Sequence, residues 1–197
     1  MNTAFLGKIA AAFVLGTCVA AGTATAGSLT VSGGLAVYED DALTDVVFGP
    51  TLAINGRMDN GLYLRAQGMY LENSQNEERF GDTRAEAFRG DIEAGIARRA
   101  HPWFDVIMAL EGAHIDRDWA RSRTDGGASI GFRAQRDDLE TEVQALYRYP
   151  NRSDESGQAG IRFRTGGVIR DSGWGAGIEV NWLTDEAFGS AVVHRRF

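Results

Sequence analysis

From Leu29 to Phe197 the apolar residues recur at every second position, and no run beyond residue 26 is apolar for long. A period of two is what a strand with one greasy and one polar face produces. Leu29, Val31, Gly33, Leu35 and Val37 alternate with Thr30, Ser32, Gly34 and Ala36; Leu62, Leu64, Ala66, Gly68 and Tyr70 alternate with Tyr63, Arg65, Gln67 and Met69. Phe88, Gly90, Ile92, Ala94 and Ile96 oppose Arg89, Asp91, Glu93, Gly95 and Ala97. The second half repeats the pattern through Phe104, Val106, Met108 and Leu110, then Ala128, Ile130, Phe132 and Ala134, then Leu139, Thr141, Val143, Ala145, Tyr147 and Tyr149. Ile161 and Phe163 flank Arg162, Trp174 to Trp182 forms a ninth strand, and Phe188 to Phe197 the last. With the weaker stretch 46–54, ten antiparallel strands are expected. Pro50 falls in that stretch and lacks a ladder donor, so the second strand is expected to be bulged, shortened or merged, with eight strands as the alternative.

The connections sort into two alternating classes. Long, acidic ones fall at 39–45, 72–85, 116–125, 149–156 and 183–187, and tight ones at 55–60, 100–103, 136–138 and 170–173. Up-and-down connectivity gathers each class at one end of a closed barrel. The fold class is therefore an all-β, antiparallel up-and-down barrel.

Residues 1–26 stand apart. Lys8, the apolar run from Ile9 to Ala21 and Ala24-Thr25-Ala26 have the layout of a cleaved secretory signal, which leaves 27–197 as one barrel domain of about 170 residues. Cys18, the only cysteine, lies inside that leader, so the remaining domain has no disulfide to draw on. Lys8 is also the only lysine; every other cation is arginine, and carboxylates outnumber cations 27 to 20. Such a balance excludes nucleic acid as a partner. Apolar runs short of the roughly 20 residues a spanning helix needs exclude a helical membrane protein, but not a barrel.

Alternation alone does not say whether the apolar face meets lipid or a dry interior. The apolar faces are rich in Ala and Gly, which fill a dry core poorly, whereas lipid tails conform to them. Trp174 and Trp182 bracket an apolar stripe that, at ~3.3 Å rise and roughly 40° tilt, spans on the order of 20 Å. Together with Phe197 they are expected to form a lipid-facing aromatic girdle.

Gly189, Ala191, Val193 and the final Phe197 resemble the C-terminal signal read by the barrel-assembly machinery, with Arg195 departing from the apolar series. On this architecture the chain is similar to small bacterial outer-membrane barrels, of the YfaZ-like or OmpA-like transmembrane kind. The resemblance implies localisation in the outer membrane after Sec export, short turns inside, long loops outside, and assembly through Phe197.

The inward positions then hold Arg65, Arg89, Asp91, Glu93, Asp105, Glu111, Arg133, Glu140, Glu142, Arg148, Arg162, Arg164, Glu179 and Arg196. Guanidinium groups pair with carboxylates in bidentate geometry, and a barrel this narrow is filled by side chains. Two readings follow. The charges form a satisfied polar interior, or they form a constriction for water or small ions, with Arg148, Arg162 and Arg164 as a cationic wall facing Asp91, Glu93 and Asp105.

His114, Asp116 and Ser122 suggest a hydrolytic site at the outer rim, but carry no diagnostic spacing. The outer carboxylates Glu39, Asp40, Asp41, Asp45, Glu72, Glu77, Glu78, Asp82, Asp116, Asp118, Asp125, Asp154, Glu155, Asp185 and Glu186 are expected to form a solvated acidic face that meets lipopolysaccharide through divalent cations. No resident metal or cofactor is expected. Phe80 and Trp119 are loop aromatics placed either to pack or to meet a partner. The functional expectation is a non-enzymatic outer-membrane barrel, structural or narrow-channel and porin-like, with a surface-binding or adhesion barrel as the alternative and a lipid-modifying enzyme behind both.

Overall fold

The computed structural model describes residues 26–41, 46–73, 85–136, 138–151, 156–169 and 172–197. The expected leader, apart from Ala26, lies outside the described residues, as do Phe80 and the carboxylates Asp45, Glu77, Glu78, Asp82, Asp154 and Glu155. Ten strands follow in chain order: β1 Ala26–Asp40, β2 Val47–Met58, β3 Leu62–Asn73, β4 Ala85–His101, β5 Phe104–Arg117, β6 Arg123–Arg136, β7 Leu139–Pro150, β8 Gln158–Val168, β9 Trp174–Leu183 and β10 Glu186–Arg196. Each pairs antiparallel with its sequence neighbours, and β1 pairs with β10 to close the barrel. Closure leaves no row of unpaired amides, which a sheet surrounded by hydrocarbon could not tolerate.

The seam runs from Thr30↔Arg196 to Asp40↔Glu186. Beyond it Phe197 N–H donates to the Leu29 carbonyl (2.8 Å) and Leu29 N–H to the Phe197 carbonyl (3.3 Å), so the final residue is stitched to the first strand.

Pro50 neither bulges nor truncates β2. It pairs with Leu35 on the β1 side, while the ladder to β3 skips Gly49 and Pro50 and resumes in the same register at Thr51↔Met69. One missing donor costs one rung; the strand continues because both flanks remain paired. Among the described residues two register shifts occur, at Ala26/Ser28 and Arg99/His101, both at the end of the barrel that carries Ala26 and Phe197.

Short connections collect at that end. Residues 59–61 turn with Gly61 at φ 87°, and Asn60 Oδ1 accepts from Leu62 N–H (3.0 Å). The turn is shorter than expected because β2 stays paired to Met58. The expected long connection 183–187 is also corrected: at the opposite end of the barrel β9 and β10 are joined by residues 184–185 alone. Glu39, Asp40, Glu72, Asp116, Asp125 and Glu186, all expected in outer loops, belong to strands β1, β3, β5, β6 and β10.

Most of the large hydrophobic side chains face outward, and a smaller set is enclosed. Phe132 (60%), Ile178 (49%) and Val180 (44%) are exposed, whereas Arg162 (3%) and Glu142 (4%) are enclosed. The alternation thus resolves in the sense that suits a hydrocarbon solvent, with charge gathered inside.

Candidate functional site

The lumen is the chemically distinctive part of the molecule, and strand parity builds it. On β4, Arg89, Asp91 and Glu93 occupy successive inward positions. On β8 Arg162 and Arg164 do so, and on β7 Glu142, Gln144 and Arg148 share the inward side. Facing strands therefore bring opposite charges together across the axis.

Glu93 is the central acceptor. Its Oε1 takes hydrogen bonds from Tyr63 Oη (2.7 Å) and Gln144 Nε2 (3.4 Å), and its Oε2 from Arg164 (2.6 Å) and Arg162 (3.3 Å). Arg162 also grips Glu111 with both terminal nitrogens (2.7 and 2.8 Å) and donates through Nε to Asn181 Oδ1 (2.6 Å). Glu142 receives Arg133 (2.9 Å) and Arg164 (2.7 Å). Glu179 receives Arg65 and Asn181. Toward the long-loop end Arg89 holds Asp91 (2.9 Å) and Glu186 (2.8 Å), and Arg148 reaches Asp91 (3.1 Å) and Glu111 (3.3 Å). Desolvating so many ions costs several kcal/mol each; multiple charge-assisted bonds per group offset it.

Of the fourteen charges expected in the lumen, Arg89, Glu93, Asp105, Glu111, Arg133, Glu142, Arg148, Arg162 and Glu179 are buried, and Arg65, Asp91, Glu140 and Arg164 are half-buried. Arg196 is exposed at the short-turn mouth rather than enclosed. Asp105 sits at that same end, held by Arg57 (2.8 Å) and Arg99 (2.5 Å), and so does not oppose Arg148, Arg162 and Arg164. Those three arginines touch Asp91, Glu93 and Glu111 directly, so the two walls are bonded together rather than separated by a path.

Several participants are absent from the expected set. Arg123 and Asp125 pair with each other (3.0 Å), and Glu186 accepts from Arg89, Arg123 (2.7 Å) and Tyr38 Oη (3.0 Å). The signal existed: Arg123 and Asp125 continue the parity of Ser129 and Arg133 on β6, and Glu186 that of Phe188 and Ser190 on β10. Acidic composition masked it by suggesting loop. Tyr63, Gln144 and Asn181 lie on the same polar faces, and being neutral they do not stand out in a pattern of charges.

An apolar layer completes the filling. Tyr38, Val47, Met69, Leu71, Leu183 and Phe188 are fully or almost fully buried in one cluster at the long-loop end, and Trp119 packs against it. Arg89 lies 4.0 Å from the Phe188 ring centre, which ties this layer to the ion pairs. Between them the free space among Glu93, Glu111, Arg162 and Phe188 is about 10 Å³, the threshold for one water. Below, a cavity of about 150 Å³ opens toward the short-turn end, lined by Ser32, Asn55, Arg133, Glu142, Arg164 and His194 among others. Among the described residues the interior is therefore a cul-de-sac.

The rim residues weighed for hydrolysis do not form a charge relay. Ser122 Oγ donates to Asp116 (2.6 Å), and the Nδ1 of His114 faces Thr124 Oγ1 (2.8 Å). A nucleophilic serine must hand its proton to the imidazole. On the outer wall Trp174, Trp182 and Phe197 are exposed, with Arg195 5.5 Å from Trp174 and 5.0 Å from Phe197.

No protein-family model matches the chain, and no curated protein matches its sequence. Among solved structures it is similar to the KdgM porin in complex with disordered oligogalacturonate, at 11% identity over 85% of this chain and 99% of that one (TM-score 0.47). It is also similar to an outer membrane channel from Pseudomonas putida F1, at 7% identity over 88% and 96% (TM-score 0.47). Outer membrane phospholipase A from Escherichia coli shares 12% identity over 84% and 95% (TM-score 0.44). At these values the likeness is one of general barrel architecture.

Proposed function

We propose that this chain is an integral outer-membrane barrel with a structural role, its interior cross-braced by ion pairs and closed to diffusion. The observation that carries this reading is the pair of blocks in series. Arginine and carboxylate bridge the axis at Glu93 and Glu111, and apolar side chains fill the long-loop end. Refolded protein in a planar bilayer is expected to give no stable current steps; discrete, reproducible steps would overturn the closed reading. Unboiled protein from the membrane fraction is expected to run anomalously on a gel, and extraction as a soluble periplasmic protein would refute the location. Export by the Sec pathway, recognition of Phe197 by the assembly machinery, and contact of the acidic loops with lipopolysaccharide belong to the same proposal, as does the absence of catalysis, which unchanged lipid A on overexpression would support.

A surface-binding barrel is the second reading. It is favoured by the gathering of connections 41–46, 74–84, 118–122 and 151–157 at one end. Loss of cell or partner binding on trimming 74–84 would support it.

A further inference from the structure

The first strand starts irregularly. Ala26 pairs with Met58 and Ser28 with Arg57, so the register shifts across Gly27, whereas from Ser28 the ladder runs without a break to Tyr38↔Val47. Gly27 therefore stands out of step with the rungs on either side of it. Two residues further on, Leu29 is bonded to Phe197 across the seam that closes the barrel.

The turn 59–61 folds back over this glycine. A Cβ placed on Gly27 would lie 2.4 Å from Asp59 Oδ1 and 3.6 Å from the Arg57 carbonyl oxygen, so both oxygens rest against its backbone. A residue's nitrogen lies about 2.5 Å from its Cβ, which puts the Asp59 carboxylate within about 5 Å of the Gly27 nitrogen. Asp59 is exposed, in a recess that also holds Arg57, Arg98, Arg99 and Asp105. Asp105 engages Arg57 and Arg99, and Arg98 points to the outer wall by strand parity. Asp59 itself forms no ion pair with another described residue. A carboxylate laid over a backbone nitrogen, with no cation of its own, suits a cation created at that nitrogen.

We propose that Gly27 becomes the amino terminus of the exported chain and that its ammonium is held by Asp59 and the Arg57 carbonyl, which ties the free end of β1 to the β2–β3 turn. The inference rests on the exported-barrel reading above, with the leader ending at Ala26. When an export-route peptidase hydrolyses the Ala26–Gly27 bond, the oxygen of one water joins the Ala26 carbonyl as a carboxylate. Both hydrogens of that water end on the Gly27 nitrogen as the ammonium. The cut removes one rung, Ala26↔Met58, and leaves the ladder from Ser28 onward whole. An α-amino group titrates near about 7.7–8.0 when unperturbed, so it is mostly charged at pH 7. Its three N–H donors can serve a carboxylate and a carbonyl together.

Protein purified from the cell envelope tests this. Intact mass and amino-terminal sequencing are expected to give a chain that starts at Gly27, and any other first residue overturns the proposal. Lys8 is the only lysine and lies in the expected leader, so the α-amino group is the one primary amine left to react. Its labelling by acetic anhydride at pH 7 is expected to run about two- to threefold faster in Asp59→Asn, the range that loss of an exposed ion pair gives. Asp138→Asn, on another short turn, is expected to leave the rate unchanged. An Asp59→Asn rate equal to that of the wild type, as when Arg98 takes Asp59 instead, or an equal rise in Asp138→Asn, overturns the pairing. Each variant is checked as a folded barrel by heat-modifiable mobility. Recovery of the Gly27 chain as a soluble periplasmic protein would strike the membrane reading instead.

Discussion

The weight a single charge carries here is set by how many partners it leaves behind. Glu93 has two guanidinium groups and a tyrosine on its carboxylate, so Glu93→Ala strands buried cations and is expected to destabilise the barrel by about 3–5 kcal/mol. Glu140, 30% exposed by its side chain and bonded more loosely to Arg133 (3.3 Å), is expected to cost under about 1 kcal/mol when removed. Urea unfolding in lipid vesicles measures both. The contrast was only partly visible in the sequence: parity placed both carboxylates inside, but neither spacing nor composition says which arginine crosses the axis to meet which acid. Glycine has its own steric role at Gly131, where an added methyl would overlap the Val143 carbonyl of the adjacent strand. Gly131→Ala is accordingly expected to destabilise, by an amount comparable to an overpacked core at about 1–3 kcal/mol.

Strands were legible because an apolar outer face and an ionised inner face leave a period-two record in every segment. Their ends were not. β6 begins at Arg123 and β10 at Glu186, inside stretches whose acidity resembled loop, because a carboxylate that meets arginine in the lumen is as acidic in composition as one that meets water. Pro50 misled in the opposite direction, since a single absent amide is absorbed by a register held on both flanks. At the turns, Gly61 adopts φ 87°, so Gly61→Ala is expected to cost about 1–2 kcal/mol. Deleting Phe197 removes both backbone bonds to Leu29 and is expected to loosen the β1–β10 seam, read as faster hydrogen exchange at Leu29 and Val31 with the β4–β7 strands unaffected.

For the molecule as a whole, the alternation carried the barrel, the strand number, the sense of the two faces and the ion-paired filling, but it could not reveal the apolar stop at the long-loop end. That depends on Tyr38, Met69 and Phe188 meeting from different strands, and each looks ordinary in its own segment. If this layer is the outer seal, Tyr38→Ala combined with Phe188→Ala is expected to produce brief conducting events in bilayers where the wild type gives none. The seam between the first and last strands has a further consequence. Its partners, such as Thr30 and Arg196, are separated by nearly the full domain, so loop-closure entropy is met before the pairing returns anything. A chain that has not yet presented β10 therefore lacks the strand that completes its ring, and the other nine strands cannot close on themselves without it.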